Sequence, residues 1–384
     1  MDHAPSPPPR HAIGCMSGTS LDALDVVLVR AQDRGLSMRS VSVLDGVSMA
    51  LGGRQSLSRL ASGEALPASA IATASLELGT AHAAAARSLC RRAGIDRPDL
   101  ACAHGQTVWH RPPGGWQVLN PWPLARELGC PVVFDLRGAD LAGGGQGAPL
   151  TPLADWVLFR DPSETRVVVN LGGFCNATVL PAGGDPGTVR GADLCACNQV
   201  LDAAARAAIG QRFDPEGGHA WRGTPDAGAA GELFALLDAQ RTRGRSLGSG
   251  DEAGAWVSKW CGRLAGEALL ASACAGVGRA VGVGVARLAG RDADVFAAGG
   301  SVRNRALMRA IGETLGRPVR PSDEAGVPAA WREGACFAVL GLLLADGVEV
   351  SLPGVTGRAG PIPLSGAWIF PPRQADALRP IAGT

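Results

Sequence analysis

The chain of 384 residues contains no tyrosine, and Lys259 is its only lysine among 36 lysines and arginines. A nucleotide site of the GxxxxGK[ST] type needs a lysine after a glycine-rich loop, and a protein-kinase site needs one on a strand that faces the phosphates. Lys259 lies instead in 256-WVSKWC-261, a helical pattern with no glycine-rich loop before it. The sequence therefore excludes both types of site.

The chain also lacks an excess of charge and any long apolar run. Its net charge is +1 and charged residues make up 18% of it, so there is no basic surface to hold nucleic acid. No apolar run reaches the length of a membrane span, and the Pro-rich N-terminus has no apolar stretch of the signal-peptide type. We expect a cytoplasmic globular protein with neither nucleic acid nor membrane as partner, in which residues 1–11 form a loose arm.

The cysteines do not have the spacing of a zinc site. Structural zinc needs C-x₂₋₄-C pairs and four ligands, whereas 193-DLCACN-198 offers C-x-C with Cys175 at a distance. We interpret the thiols as reduced, small packing residues. The glycine pairs 172-GG-173 and 299-GG-300 likewise lack the GxGxxG pattern of dinucleotide-binding folds.

Strands, glycine turns and helices alternate along the chain, which predicts an α/β fold. Residues 12–31 read as strand, Gly/Ser/Thr turn and strand, and residues 166–180 repeat that pattern. Helices are predicted over 65–95, with Gly94 at the end, and over 198–210, 253–276 and 305–316. Residues 99–112 predict a buried strand followed by a polar loop. A Gly/Pro-rich segment, 142–152, is the best domain boundary. Turns rich in small polar residues suit phosphate binding, although 18-GTSLD-22 alone also fits an ordinary hairpin turn.

Seven segments together resemble the anhydro-N-acetylmuramic acid kinase family of the actin-like, sugar-kinase superfamily. They occur in the family's order along nearly the whole chain: 14-GCMSGTSLDALDVVLV-29, 104-HGQTVWHRP-112, 134-FDLRGADLAGGGQGAPLTP-152, 170-NLGGFCN-176, 245-RSLGSG-250, 298-AGGSVRNRALM-308 and 352-LPGVTG-357.

The resemblance implies two actin-like, ribonuclease-H-like lobes, each with a mixed sheet flanked by helices, and a cleft between them for ATP and a sugar. The lobes would be residues 12–145 and 146–349, with about 350–384 packed back on the first. Water would open the 1,6-anhydro ring of anhydro-N-acetylmuramic acid while O6 receives the γ-phosphoryl group. The products would be N-acetylmuramic acid 6-phosphate and ADP, in recycling of the cell wall. Members are often dimers, so a homodimer is possible.

The resemblance also assigns residues to the nucleotide and the sugar. The first phosphate turn would comprise Gly18, Thr19, Ser20, Leu21, Asp22, Ala23, Leu24 and Asp25, with Asp22 holding Mg²⁺. The second turn would contribute Asn170, Gly172 and Gly173, while Gly299, Gly300 and Asn304 would lie by the adenosine. The sugar would meet His104, Gln106, Arg137, Asn198 and Glu333.

Asp193 matches the catalytic base of the family's D-T-G-P-G-N motif. Opening an acetal needs a carboxylate that deprotonates water on the face opposite the leaving oxygen, and here the leaving oxygen departs into phosphate, so one carboxylate suffices. The chain has L-C-A-C where the family has T-G-P-G, Arg245 in place of a lysine, and Ala23 in place of a glycine. A kinase of another anhydrosugar and a weakened ATP- and sugar-binding sensor are the alternatives.

Overall fold

The computed structural model describes residues 8–18, 21, 23–38, 40–241, 247, 253–360 and 365–371. Thr19, Ser20, Asp22 and Arg245 lie outside the described residues. The strands are β1 Arg10–Ser17, β2 Leu24–Gln32, β3 Ser40–Met49, β4 Leu100–Ala103, β5 Gln106–Arg111, β6 Gly114–Val118, β7 Val132–Phe134, β8 Arg166–Leu171, β9 Phe174–Leu180, β10 Arg190–Ala196, β11 Asp294–Ala298, β12 Arg320–Pro321 and β13 Ala367–Ile369.

The helices vary from single turns to long core helices. They are α1 Arg54–Ala61, α2 Ala68–Arg92, α3 Trp122–Leu128, α4 Leu136–Ala142, α5 Pro152–Phe159, α6 Asn198–Ile209, α7 Gly218–Arg222, α8 Ala227–Arg241, α9 Gly254–Trp260, α10 Gly266–Ala289, α11 Arg305–Leu315, α12 Arg332–Ala345 and α13 Pro353–Thr356.

The chain divides into two compact units. Unit 1 comprises Met1–Ala139, Phe337–Glu349 and Ile362–Thr384, and unit 2 comprises Asp140–Cys336 and Val350–Pro361. The first division falls inside α4, a few residues before the predicted boundary at residues 145 and 146. Residues 337–349, predicted in the second lobe, group with unit 1. Residues 350–361, predicted to pack on the first lobe, group with unit 2.

Unit 1 is built on a six-stranded sheet in the order β13-β7-β4-β1-β2-β3. β1, β2 and β3 run antiparallel, while β1, β4 and β7 run parallel. β1 and β2 are buried along most of their length, as expected for strands covered on both faces. Gly341 of α12 lies so close to β4 that a Cβ there would meet Leu100 Cδ1 at 2.7 Å. The second half of α12 thus packs directly on the sheet of unit 1.

Unit 2 is built on a five-stranded sheet in the order β10-β9-β8-β11-β12. β8, β9 and β10 run antiparallel, and β8, β11 and β12 run parallel. Among the described residues, α10 is the helix long and apolar enough to cross a membrane, but 78% of its most apolar window is buried in the structure. A helix that is apolar all round and buried is a core helix.

Apart from β13, which pairs antiparallel with β7 at the edge of the first sheet, the two sheets share one topology, in agreement with the strand–turn–strand pattern repeated in the sequence. In each, three antiparallel strands are followed by parallel strands added beside the first of the three. The predicted α/β class with mixed sheets and flanking helices is therefore confirmed within each unit. The two hairpins expected from the sequence are β1–β2 and β8–β9, and α2, α6 and α11 lie where helices were predicted.

Three local predictions were wrong. β1 begins at Arg10, inside the predicted arm, because the Arg10 guanidinium donates to both carboxylate oxygens of Asp346 at 2.8 and 2.6 Å. The expected polar loop after β4 is the β5–β6 hairpin. The helix predicted over 253–276 is broken between Trp260 and Gly266 into α9 and α10.

Candidate functional site

The glycine turn between β8 and β9 is bonded to the start of α6. The carbonyl oxygen of Gly173 accepts the N–H of Cys197 at 2.9 Å, and that of Gly172 accepts the N–H of Asn198 at 3.1 Å. Backbone N–H groups at a helix start otherwise lack partners. The predicted second phosphate turn is therefore held by the first residues of α6.

Asn198 connects three segments of unit 2 through its side chain. Its Nδ2 donates to the carbonyl oxygen of Leu171 at 3.4 Å, and its Oδ1 accepts from the hydroxyl of Ser301. Leu171 ends β8, whereas Ser301 follows the glycine pair after β11. Asn198 was predicted to bind the sugar, but its side-chain amide is engaged within the protein. It joins the second glycine turn, at Gly172 and Gly173, to a third glycine turn at Gly299 and Gly300.

The third glycine turn lies beside the second because β8 and β11 are parallel, with Ala298 opposite Asn170. Carboxyl ends of parallel strands meet at one edge of a sheet, where ligands of open α/β folds bind. Gly299 has φ +93°, and a Cβ there would meet the Leu171 carbonyl oxygen at 2.8 Å and Asn170 Oδ1 at 3.0 Å. Only glycine fits this contact without a backbone shift.

Asn304, predicted to lie by the adenosine, has a structural role in this unit. Its Oδ1 accepts the N–H of Leu307 at 3.0 Å and so caps the start of α11. A Cβ on Gly217 would approach that same oxygen to 2.1 Å, so the amide is enclosed on this side as well. A capping side chain of this kind stabilises the helix start.

Glu333 meets the second turn through Asn170, whose Nδ2 donates to Glu333 Oε1 at 3.3 Å. Its neighbour Arg332 is buried and donates from Nε to Asp155 Oδ1 at 2.8 Å and from Nη2 to Asp155 Oδ2. Asp155 in turn accepts from the hydroxyl of Thr178 at 2.7 Å. This buried group fixes the first turn of α12, on which Glu333 stands.

Asp193 lies in β10 opposite Asn176 of β9, where the register shifts before Cys195. Its Oδ2 accepts the backbone N–H of Leu247 at 2.8 Å. Leu247 belongs to 245-RSLGSG-250, one of the segments that carry the family resemblance. The predicted base and Leu247 therefore meet in unit 2, although they are far apart in the sequence.

Cys195 and Cys197 are fully buried in the core of unit 2, as the sequence predicts for packing residues. Burial raises the pKa of the Cys195 thiol to about 12. Burial also raises the pKa of Cys175, and the neighbouring Cys195, Cys197 and Asp193 add to the effect. The thiol is therefore the stable form at neutral pH, and the thiolate that metal ligation requires is disfavoured.

In unit 1 the carboxyl ends of β1, β4 and β7 bring the remaining predicted side chains together. Cys15 pairs with Ala103, and Ala103 with Phe134, so the residues that follow these strands emerge at one edge. Gln106 Nε2 donates to the carbonyl oxygen of Gly18 at 3.1 Å. Gln106 Oε1 is buried and has no hydrogen-bond partner among the described residues.

His104 and Arg137 are in direct contact at the same edge. Arg137 Nη2 lies 3.0 Å from His104 Nε2, and His104 Nδ1 lies 2.8 Å from the carbonyl oxygen of Gly105. The ring is 5% exposed and meets the edge of Phe337 with centroids 5.1 Å apart. Burial, followed by the charge of Arg137, lowers the pKa of His104 to about 3.

The described part of the first phosphate turn is a tight bend. The N–H of Leu21 donates to the carbonyl oxygen of Gly18 at 3.1 Å, and Leu21 has φ 56°. The side chains of Leu21 and Leu24 are buried in the core of unit 1, so only their backbone groups remain for a ligand, and Ala23 is half-buried. Asp25 accepts from the Ser48 hydroxyl, and burial raises its pKa despite that bond.

Sequence reasoning missed three groups that build these turns. Ser301 bonds Asn198, the Leu247 N–H bonds Asp193, and the Ser17 hydroxyl donates to the Gly105 carbonyl oxygen at 3.3 Å. All three residues lie within segments quoted for the resemblance, which is the only sequence signal for them. The Ser17 bond depends on the pairing of β1 with β4, which no local pattern reveals.

A family model described as "Anhydro-N-acetylmuramic acid kinase" matches residues 10–371. The relative of that name from Salinibacter ruber is 35% identical over 382 residues, covering 92% of this chain and 95% of the relative. The relative of that name from Bordetella parapertussis is 37% identical over 366 residues, covering 91% of this chain and 93% of the relative. Among solved structures, this chain is similar to (R)-2-hydroxyglutaryl-CoA dehydratase component A of Acidaminococcus fermentans, with 15% sequence identity and a TM-score of 0.46. The similar region covers 88% of this chain and 99% of that structure. That structural likeness is too low to support any inference about ligands.

Proposed function

The chain belongs to the anhydro-N-acetylmuramic acid kinase family and is a kinase, and on that premise we propose its substrate, its reaction and the residues that perform it. The substrate is anhydro-N-acetylmuramic acid, and the phosphoryl donor is ATP. The products are N-acetylmuramic acid 6-phosphate and ADP. The observation that carries this proposal is the family match over residues 10–371, which includes every segment of the predicted site.

The reaction joins a hydrolysis to a phosphoryl transfer. The water oxygen forms a bond to the anomeric carbon, and the bond from that carbon to O6 breaks. O6 forms a bond to the γ-phosphorus while the bond to the bridging oxygen of ADP breaks. One water proton passes to a carboxylate and then to solvent. Phosphoryl transfer itself needs mainly alignment and stabilisation of charge.

We assign the carboxylate to Asp193. A general base must be held within hydrogen-bond distance of the water that it deprotonates. The Leu247 N–H, 2.8 Å from Oδ2, orients the Asp193 carboxylate at its position in β10.

The nucleotide is expected at the glycine turns. In unit 2, the turns at Gly172 and Gly299 adjoin, and the side chain of Asn198 holds them together. In unit 1, the bend after Gly18 is the expected first phosphate turn. Turns that offer backbone N–H groups suit phosphate oxygens, and glycine lets the backbone approach them closely.

Magnesium is proposed as the counter-ion of ATP, since the family's chemistry transfers a γ-phosphoryl group. The residue expected to hold it, Asp22, lies outside the described residues. Within the ranges that the structure describes, no group of three or more His, Cys, Asp or Glu side chains could hold a metal ion.

The cellular role follows from the substrate. Anhydro-N-acetylmuramic acid is a product of cell-wall breakdown, so its phosphorylation by ATP places the chain in recycling of the wall. ATP is available in the cytoplasm, where we place the protein. The alternative is a sensor that binds ATP and the sugar without turnover. Such a protein would need the phosphate-binding turns but no catalytic base, so the presence of Asp193 disfavours it.

The experiment incubates purified protein with ATP, Mg²⁺ and anhydro-N-acetylmuramic acid, and follows ADP and the sugar phosphate by mass spectrometry. In water labelled with heavy oxygen, we expect the label on the anomeric hydroxyl of the product and none on its phosphate. 1,6-Anhydroglucose serves as the comparison substrate. Faster turnover of the comparison sugar would overturn the substrate assignment, and label in the phosphate would overturn the assigned ring opening.

A further inference from the structure

We propose that His104 is a positioning residue, which holds the Arg137 guanidinium for the sugar through the lone pair of its Nε2 atom. The proposal rests on the proposed function, in which Arg137 contacts the sugar. It changes the role that the sequence predicts for His104, because both ring nitrogens are already engaged within unit 1. The imidazole therefore acts on the substrate only through Arg137.

The contacts fix which nitrogen carries the proton. A carbonyl oxygen can only accept, so the 2.8 Å contact with Gly105 requires a hydrogen on His104 Nδ1. A guanidinium can only donate, so the 3.0 Å contact with Arg137 requires a lone pair on Nε2. The neutral imidazole with hydrogen on Nδ1 satisfies both contacts, whereas the imidazolium would place two donors face to face.

The surroundings maintain that neutral form. The ring is almost fully buried, with the edge of Phe337 against it, and burial disfavours the charged ring. The pKa of about 3 lies far below neutral pH, with burial as the first cause, then the charge of Arg137. His110 acts in the same direction, while the Gly105 bond opposes it. His104 is thus a constant acceptor at every pH at which the enzyme would work.

The fold holds the two partners in place from both sides. His104 follows β4 and Arg137 follows β7, and these strands pair in parallel with Ala103 opposite Phe134. The Gly105 carbonyl oxygen also accepts from Ser17, at the end of β1. The position of the guanidinium is therefore set by three adjacent strand ends.

Two substitutions of His104 distinguish the role of Nδ1 from that of Nε2. In His104→Asn the side-chain amide can still donate to the Gly105 carbonyl oxygen, but the shorter side chain no longer reaches Arg137. In His104→Gln the longer side chain places its amide oxygen where Nε2 lies, and the bond to Gly105 is lost. Loss of a hydrogen bond to a charged group is worth about 10-fold to 100-fold in affinity. We expect His104→Asn to raise KM for the sugar by that factor with KM for ATP unchanged, and His104→Gln to recover most of the loss.

A double-variant cycle with Arg137→Ala tests whether His104 acts through Arg137. Once the guanidinium is removed, His104→Asn should add little further loss. If the losses caused by His104→Asn and Arg137→Ala multiplied in the double variant, the proposal would be overturned. A His104→Gln variant as impaired as His104→Asn would also overturn it.

A second measurement needs no activity. Nitrogen NMR of the free protein, with His104→Asn for assignment, should show His104 with hydrogen on Nδ1 and no titration between pH 5 and 8. Hydrogen on Nε2 would refute the proposal by itself. If the wild type fails to turn over the sugar, the proposed function fails, while the NMR result still decides the state of His104.

Discussion

The backbone N–H of Leu247 donates a hydrogen bond of 2.8 Å to Oδ2 of Asp193, joining a strand of unit 2 to a segment more than fifty residues later. The contact restrains the carboxylate without neutralising it, since a backbone amide carries no net charge. It also connects the proposed base to the segment in which Arg245 replaces a lysine of the family motif. Changes in that segment are thus expected to act on the base.

Asp193→Asn should abolish most sugar phosphorylation and leave ATP binding intact. The amide oxygen of asparagine can still accept from Leu247, so the local structure is kept while the basic oxygen is lost. A positioned general base contributes about 100-fold to 10,000-fold, and kcat should fall by that factor.

The measurement is steady-state ADP release with anhydro-N-acetylmuramic acid, together with the thermal shift caused by ATP. Asp292→Asn, at an exposed position of the same unit, is the matched control and should keep wild-type kcat. If Asp193→Asn retained wild-type kcat, the base assignment would be wrong.

The sequence predicted the elements whose signals are local. The β1–β2 and β8–β9 hairpins follow from β-branched runs on each side of glycine turns, and Gly94, with φ 68°, ends α2 as expected. The break between α9 and α10 was missed because apolar periodicity continues across it. The β5–β6 hairpin was missed because its turn is the proline pair Pro112 and Pro113, which reads as a loop.

The candidate site was predictable mainly where one motif contains the whole feature. Asp193, Gly172 and Gly299 stand in recognisable segments. The capping role of Asn304 and the engagement of Asn198 by Ser301 depend on which partner arrives from elsewhere in the chain. Such contacts depend on the strand order of each sheet, which is not written in any local pattern.

Arg332→Met should destabilise the protein strongly. Asp155 is fully buried, and the substitution would leave its carboxylate without the guanidinium that now binds both oxygens. Breaking a buried pair by removing one partner costs about 3–5 kcal/mol. Arg332 also fixes the first turn of α12, so its loss should displace Glu333. Because Glu333 is expected to contact the sugar, the KM for the sugar should rise.

Denaturant unfolding measures the loss, and the exposed pair of Arg59 and Glu64 offers the control. Arg59→Met should leave the free energy of unfolding unchanged within error, because exposed ion pairs are screened by water. Equal losses in the two variants would contradict the importance given to burial.

His82→Asn should make the protein less sensitive to acid. His82 is fully buried in α2 with Nδ1 2.7 Å from the carbonyl oxygen of Leu78, and burial lowers its pKa from 6.5 to about 4 despite that bond. Between those values the unfolded chain binds the proton and the folded chain does not. Stability from the neutral ring is thus fully present above pH 6.5 and lost as pH falls to 4, by about 3 kcal/mol in total.

Asparagine keeps a donor near Nδ1 and has no proton to bind, so the slope of unfolding free energy between pH 6.5 and 4 should decrease. Denaturant unfolding at several pH values measures it. Thr80→Asn, at an exposed position of α2, removes no titratable group, and as the control it should keep the wild-type slope. An unchanged slope in His82→Asn would show that His82 is not the linked group.

Gly299→Ala should affect the stability of the protein, whereas Gly300→Ala should affect only its binding of ATP. At Gly299, with φ +93°, a new Cβ would meet the Leu171 carbonyl oxygen at 2.8 Å, whereas at Gly300 nothing lies within 4 Å. A strained residue of this kind costs about 1–3 kcal/mol, so Gly299→Ala should lower the free energy of unfolding by that amount. Gly300→Ala should leave stability unchanged and raise KM for ATP, because the proposed nucleotide lies against this turn. Calorimetry and ADP-release kinetics on both variants provide the measurements, and a stable Gly299→Ala protein with wild-type KM for ATP would contradict the tight contact between the second and third turns.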